Sequence, residues 1–518
     1  TATTAIYPLS LHDALPIYDG RGVFNVLHSL MQLIPPMRKP VIPVMSLSDA
    51  PRFAYRAVFI DVARNFHSKA AILRTLQQMS RYKLNILHLH LSDDEGWRLE
   101  IPGLPELTSV GAKRCHDLSE TRCLLPQLGS GPDTSTTGSG YFSRQDYIEI
   151  LRYARARQIT VIPEIDMPAH ARAAVIAMEA RYKNLMAAGK VREANQYRLQ
   201  EDGDDSRVTT VQFYDRTSFI NPCQPSAQRF VRKIMNELIA MHREAGQPLE
   251  TWHFGGDEAK NIYSGPGYTD KNHPQPGKGQ RDLSLQDKPW AKSASCRQRI
   301  QQGEAGDFTQ LPGWFALQVS QWAKSAGLKN MQAWQDGLKA IPSAGQFATE
   351  TVALNFWDTL YWGGVNSASE WAEKGYRIII SSPDYLYLDM PYEVDPQEPG
   401  YYWATRFTDE QKIFTFSPDN LAMNAETSTD RDGKAFSATG QGSWPGAAGM
   451  SAQLWSEIVR TDEQMEYRLY PRLLAVAERA WHQADWELPG QQGQAFEKGK
   501  TRQVNQQQLQ ADWNRFAT

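Results

Sequence analysis

Two adjacent acids behind two glycines form the most chemically suggestive run in the chain. Thr251-Trp-His-Phe-Gly-Gly-Asp-Glu-Ala-Lys260 reads as a short strand that stops and turns. Gly255 and Gly256 disfavour a continuing strand and let a ligand approach the backbone, which suits delivery of Asp257 and Glu258 into a cleft. Taken alone, the run is equally well read as a strand entering a turn with both acids in water. Paired carboxyls suit glycoside hydrolysis, where one protonates a leaving oxygen and the other meets the developing cation. Successive residues of an extended chain point opposite ways, however, so these two are poorly placed to flank one bond as acid and nucleophile.

A second constellation is His88-Leu-His90, whose alternation puts both imidazoles on one strand face at the spacing of metal ligands. A metal-dependent hydrolase would need a further His and carboxylate from the same rim, and only Asp166 with His170 is offered. Histidines packed inside the fold and bonded to neighbours are the simpler reading, so the expectation is no metal. The third class is a sugar-binding barrel without catalysis. The chain holds 15 Trp and 21 Tyr, many in polar, Gly/Pro-rich surroundings, where aromatic faces suit stacking on sugar rings.

Positioning such groups requires a scaffold. From Ala57 onward, strand-like apolar runs alternate with amphipathic helical patterns. The strands are expected at Ala57–Arg64, Leu84–Asp93, Ile159–Asp166, Thr251–Asp257, Asn330–Asp336, Val352–Asp358, Arg377–Asp389 and Ser451–Glu457. Helices are expected at Lys69–Tyr82, Arg144–Arg157, Ala169–Leu185, Ala227–Glu244, Phe315–Ser325, Ser367–Lys374 and Gln464–His482. Near-continuous apolar strands alternating with helices predict an α/β fold, a (β/α)8 TIM barrel. Long inserts follow the second, third, fourth and seventh strands (Trp97–Phe142, Gly189–Pro225, Ser264–Gly313, Pro391–Gly449). All lie at the C-terminal ends of strands, the face where barrel loops build sites.

The residues at or just past those ends are Arg64, Asp93, Asp166 with His170, Asp257 with Glu258, Trp334, Trp357, Tyr387, and Trp455 with Glu457. Barrel closure would bring them to one rim, as a pocket for a ring with many hydroxyls. Net charge is −3 with a pI near 6.4, so no broad basic field speaks for nucleic acid. No apolar run approaches the roughly 18 residues of a membrane span. The four cysteines fall in two pairs, Cys115 with Cys123 and Cys223 with Cys296, each bracketing loop-like sequence. Two disulfides, and so an oxidising compartment, are expected.

His253-Phe-Gly-Gly-Asp-Glu258 resembles the signature of glycoside hydrolase family 20, the β-N-acetylhexosaminidases. The likeness extends through Asp61-Val-Ala-Arg64, His88-Leu-His-Leu-Ser-Asp-Asp-Glu-Gly-Trp-Arg98, Pro163-Glu-Ile-Asp-Met-Pro-Ala-His170 and Ala333-Trp-Gln-Asp-Gly337, closest to the family's bacterial chitobiases. It implies retaining hydrolysis without a protein nucleophile, because the substrate's own 2-acetamido oxygen attacks the anomeric carbon. The resemblance implies that Glu258 is the general acid and then the base, with a pKa raised by its neighbours, and that Asp257 holds the acetamido N–H. Tyr387 would donate to the acetamido oxygen. Trp334, Trp357 and Trp455 would enclose the sugar, Arg64, Asp93 and Glu457 would bind its hydroxyls, and Trp403 would stack on the next sugar. Asp166 and His170 would orient the acids from behind. The implied substrate is chitobiose or short chitooligosaccharides, with no cofactor, no nucleic acid, no membrane span and a monomeric, periplasmic or secreted enzyme.

The expected division is a leader foreign to the fold at 1–17, the tail of an α+β domain at 18–51 (helix Arg21–Ile34, strand Val41–Leu47), the barrel at 52–485 and a helical tail at 486–518. The leader lacks the basic start and apolar centre of a signal peptide. Because the resemblance also implies flanking domains, a truncated chain is expected.

Overall fold

The structure, a computed structural model, describes residues 20–34, 49–262, 286–360, 363–427, 444, 446–487 and 505–517. The leader at 1–17 and the strand expected at Val41–Leu47 lie outside them, as do parts of the inserts after the fourth and seventh strands. Among the described residues, eight parallel strands close a barrel. They are β1 (Tyr55–Asp61), β2 (Ile86–His90), β3 (Thr160–Glu164), β4 (Thr251–His253), β5 (Asn330–Trp334), β6 (Thr351–Phe356), β7 (Arg377–Ile380) and β8 (Gly449–Leu454). Sequence neighbours pair in parallel and β8 returns to β1, so the expected (β/α)8 architecture is observed.

Burial explains the strand sequences. In β1 every residue after Tyr55 is buried, because Val58 and Ile60 face the helical layer while Phe59 turns into the barrel and meets the rings of His88, His90, Trp334 and Trp455. α1 (Gly20–Gln32) precedes the barrel; the helical layer includes α2 (Lys69–Arg81), α3 (Arg144–Arg155), α4 (Arg172–Ala187), α5 (Pro225–Glu244), α6 (Leu311–Ser325), α7 (Gly364–Glu373), α8 (Asp462–Leu469) and α9 (Arg472–Trp481), and α10 (Gln506–Ala517) follows it. Ser68 caps α2 and Ser143 forms a capping box with Asp146 on α3, satisfying first-turn amides that have no partner within the helix. The single helix expected over Gln464–His482 is two, broken before Pro471, which lacks the N–H a continuing helix requires.

Most of the expected strands run too far at their C-terminal ends. β4 stops at His253, β5 gives way to a 3-10 turn at Gln335–Leu338, and β7 ends at Ile380 before the short helix Pro383–Leu386. A two-residue hairpin, Ser92–Asp93 with Gly96–Trp97, follows β2. The strands splay past their last ladder bonds, so the polar residues sit on turns just beyond them, where side chains aim into the mouth of the barrel.

Register has one further effect. Asp61 pairs with His90, His90 with Glu164, Glu164 with His253 and His253 with Gln332, so one row of polar side chains crosses five strands. Two disulfides form, as expected, and the fold selects one of the three connectivities that four cysteines allow: Cys115–Cys123 closes a turn in the insert after β2, and Cys223–Cys296 ties the insert after β3 to that after β4.

Candidate active site

The turn after β4 is built by its glycines. Gly255 and Gly256 take φ of +72° and +95°, and Glu258 itself has φ +52°. The reversal is pinned from three sides: Gly255 N donates to His253 Nδ1 (3.1 Å), Gly256 N to Asp166 Oδ1 (3.1 Å), and Glu258 N to Asp336 Oδ2 (2.7 Å). A Cβ on Gly255 would lie 1.8 Å from Asp166 Oδ1, and one on Gly337 would lie 2.6 Å from Gly256 O. Only glycine lets these turns interlock.

Asp257 and Glu258 reach a cavity of about 580 Å³ at the C-terminal mouth of the barrel. Arg64, His170, Trp334, Trp357, Tyr387, Trp403, Trp455 and Glu457 line the same cavity. Residues from the ends of seven of the eight strands, separated by up to several hundred residues, thus converge on one cavity.

One of the expected hydroxyl-binding residues lies elsewhere. Asp93 is not on the wall, because it is buried and both oxygens are taken, Oδ1 by His170 Nδ1 (3.1 Å) and Oδ2 by His90 (2.7 Å) and Arg64 (2.9 Å). It anchors two cations and has no oxygen left for a sugar hydroxyl. Asp166 lies under the glycine turn, where burial and the nearby Asp257 raise its pKa well above the usual carboxylate value.

His170 connects the acids. Its Nε2 is 3.2 Å from Glu258 Oε2 and 3.7 Å from Asp257 Oδ2, while Nδ1 faces Asp93. Burial opposes its charge, but Asp93 and Asp257 outweigh burial and raise its pKa well above the usual value. The pKa expectation for the acids is corrected by this contact. Burial raises Glu258, but the His170 hydrogen bond and charge, with Lys260 and Arg64, bring it below its ordinary value. The raised group is Asp257, which burial pushes to about 7 against His170, with Asp336, Glu164 and Glu258 adding to the rise. The sequence shows the two acids as neighbours, but only the fold shows which one faces the imidazole.

Aromatic rings frame the opposite wall. Trp334 is fully buried and donates from Nε1 to Glu164 (2.8 Å); its ring centre is 5.4 Å from that of Trp455. Trp357 donates to Asp336 (3.0 Å), and Trp403 stands edge-on to both Trp357 (6.2 Å) and Tyr387 (5.9 Å). Burial raises the Tyr387 phenol, which stays a neutral donor at ordinary pH. The Arg64 guanidinium lies 5.0 Å over Trp455 and pairs with Asp61, Asp93 and Glu95.

Asp336, Asp389, Tyr401 and the turn Val211–Phe213 were not among the expected site residues. Asp389, Tyr401 and the turn line the cavity, and Asp336 holds the Glu258 amide and the Trp357 indole. Asp336 and Asp389 close two of the expected strand ranges, a signal that could have singled them out. Val211–Phe213 sits in an insert with no periodicity, so nothing in the sequence marks it.

Four groups of potential metal donors cluster at this end of the barrel, His88 with Glu164 and His253 among them. His90 and His170 present each ring nitrogen to a carboxylate, and His253 Nδ1 already accepts the Gly255 amide. A cation there would displace these internal contacts, so the donor set suits ion pairing among its own members better than metal ligation.

Comparison with known proteins agrees with this geometry. Residues 53–484 match "Glycosyl hydrolase family 20, catalytic domain". The chain is 57% identical over 521 residues to N,N'-diacetylchitobiase of Vibrio harveyi, covering 100% of this chain and 59% of that protein. It is 43% identical over 479 residues to a beta-hexosaminidase of Vibrio vulnificus, covering 92% and 53%. It therefore spans between half and three fifths of these curated relatives. Among solved structures, a GH20 exo beta-N-acetylglucosaminidase of Vibrio harveyi in complex with N-acetylglucosamine aligns with TM-score 0.65 and 26% identity, over 89% of this chain and 60% of that one. An N-acetyl-beta-hexosaminidase of Streptomyces plicatus in complex with Thio-NAglucal aligns with TM-score 0.60 and 25% identity, over 90% and 73%.

Proposed function

This chain belongs to glycosyl hydrolase family 20, and from that premise we propose that it is a retaining exo-β-N-acetylhexosaminidase, removing N-acetylglucosamine from the non-reducing end of chitobiose and short chitooligosaccharides. The observation that carries the reading is the different surroundings of its two adjacent acids. Glu258 faces the His170 imidazole at 3.2 Å, whereas buried Asp257 Oδ1 has no protein partner. An acetamido N–H placed on that oxygen satisfies it and favours the Asp257 anion.

The steps follow from these placements. Asp257 holds the acetamido nitrogen and Tyr387 donates to its oxygen, turning it toward the anomeric carbon. His170 Nε2 hands a proton to Glu258. As the glycosidic C–O bond breaks, the Glu258 proton passes to the leaving oxygen and the acetamido oxygen bonds to the anomeric carbon, giving an oxazolinium ion stabilised by Asp257. Glu258 then takes a proton from water, which attacks the same carbon and reopens the ring, and passes that proton back to His170 Nε2, restoring the starting state. Trp334, Trp357 and Trp455 cover the sugar faces, while Arg64 and Glu457 hold hydroxyls and Asp389 adds a further acceptor. Trp403, 36% exposed at the mouth, stacks on the following sugar.

Among the described residues no helix is long and apolar enough to cross a membrane. Two disulfides support work in an oxidising compartment, the periplasm or outside the cell.

The test is release of p-nitrophenol from the aryl N-acetylglucosaminide, with Glu258→Gln beside it. The variant is expected to lower kcat by about 10²- to 10⁴-fold while N-acetylglucosamine still binds. Binding without turnover by the unaltered protein sinks the proposal. The aryl glucoside, which lacks the acetamide, is expected to resist hydrolysis, and substantial cleavage would rule out substrate assistance.

A further inference from the structure

Behind the acid-facing His170, charged side chains continue into the barrel in alternating sign. Glu258 meets His170 at 3.2 Å, His170 meets Asp93 at 3.1 Å, Asp93 meets His90 at 2.7 Å, and His90 Nδ1 lies 3.2 Å from Glu164 Oε2. Strand register builds the inner part, since His90 and Glu164 are cross-strand partners on β2 and β3 with side chains turned inward. Asp93 follows on the hairpin after β2, and His170 on the segment between β3 and α4.

We propose that His90 and Glu164 are positioning residues for Glu258, acting through Asp93 to set, with opposite signs, the pH at which His170 Nε2 gives up its proton. A carboxylate oxygen stands within 3.2 Å of each His90 nitrogen. His90 Nε2 hydrogen-bonds to Asp93 Oδ2 while Nδ1 lies at ion-pair distance from Glu164, and the two carboxylates together favour an imidazolium. Burial opposes that charge, but Glu164 and Asp93 outweigh it and raise its pKa to about 10. Asp93, held anionic by Arg64 and the two imidazoles, accepts from His170 Nδ1 and leaves the second N–H aimed at Glu258, while the Glu164 anion favours and the His90 cation opposes the charge on His170. Glu164 is in turn held by Trp334 Nε1 (2.8 Å) and His88 Nε2 (2.7 Å), so the column ends on the ring that floors the sugar pocket.

Asp166 also faces the column, with a carboxylate oxygen within 4.8 Å of side-chain atoms of His90 and Asp93 and of Glu164 and Asp257, and burial with the nearby Asp257 raises its pKa well above the usual value. His90 packs between the rings of Phe59 and Trp455 and pairs in register with Asp61, whose carboxylate is taken by backbone amides and Arg64. Arg64 also touches Asp93, and His170 is flanked by Asp94 and Asp257. Lys260 lies 3.9 Å from Glu258. His253 accepts the Gly255 amide at Nδ1 and burial lowers its pKa to about 3, so it stays neutral beside Glu164.

The catalytic consequence rests on the hexosaminidase reading; the coupling itself does not. The test uses Glu164→Gln, His90→Gln and the double variant, read by histidine ¹⁵N titration in NMR and by the kcat–pH profile on the aryl N-acetylglucosaminide. Glu164→Gln keeps an acceptor for Trp334 but removes a negative charge, and should move the His170 titration and the alkaline limb of kcat to lower pH. His90→Gln removes a positive charge and should move both to higher pH, by on the order of one unit each. The double variant should return near the starting profile. Single variants that shift the same way, or that fold and do not shift, overturn the proposal. Should His90→Gln alone fail to fold, the double variant must still reverse the Glu164→Gln shift. An unaltered protein without turnover fails the hexosaminidase reading, and the ¹⁵N titrations then decide the coupling alone.

Discussion

Asp166 occupies the space that a side chain at Gly255 would need: a Cβ there would fall 1.8 Å from the Asp166 Oδ1 that accepts the Gly256 amide at 3.1 Å. The turn that presents the two acids is thereby locked to the end of β3. Gly255→Ala also strains a φ of +72°. It is expected to cost about 2 kcal/mol or more of stability and to lower kcat by at least about 10-fold with a smaller change in KM. Urea melts with steady-state kinetics check this, and a variant with the parent kcat contradicts the locked turn.

Several buried acids at and around the pocket have raised pKa values. Burial leads in each, taking Asp389 to about 8 and Asp257, Glu457 and Glu95 to about 7. A raised folded pKa means stability that is full below the unfolded value near 4 and is lost as pH rises through the folded value. Asp389→Asn removes one such group. Its melting temperature is expected to gain on the parent steadily between pH 4 and pH 8. A difference that does not change with pH contradicts the assignment.

Trp403 touches Trp357 and Tyr387 edge-on yet is 36% exposed at the mouth. If it carries the second sugar, Trp403→Ala raises KM for chitobiose by about 10-fold, as loss of one stacking platform would, with little change for the single-sugar aryl glycoside. Equal losses on both substrates would place Trp403 in the single-sugar pocket instead.

The two disulfides differ in reach, Cys115–Cys123 spanning 8 residues and Cys223–Cys296 spanning 73. The longer loop gains more from closure, so Cys223→Ser with Cys296→Ser is expected to cost about 2–4 kcal/mol, and the shorter bridge less. Chemical denaturation of the two double variants checks the order.

Much of the fold was legible because its signals are local. Apolar runs marked all eight strands, glycine pairs and inserts marked the functional face, and Arg64, Trp334, Trp455 and Glu457 could be assigned to a rim from strand position alone. Strand ends were overrun because a polar residue past the last ladder bond looks in sequence like one inside it. For that reason Tyr387 appeared within a strand but lies beyond the helix Pro383–Leu386. Asp93 stands at a strand end like the others, yet Arg64, His90 and His170 draw it beneath the floor.

By itself, then, the sequence determined the barrel, the end that carries the cavity and the pair of adjacent acids that line it, since periodicity, turn residues and neighbouring positions are properties of a chain read along its length. The tertiary structure decided the charges. Glu258 is depressed and Asp257 raised because one carboxyl meets His170 and the other is buried among acids from β3 and the turn after β5. Electrostatic interaction depends on distance and burial, and the groups concerned come from strands whose register no linear spacing reveals.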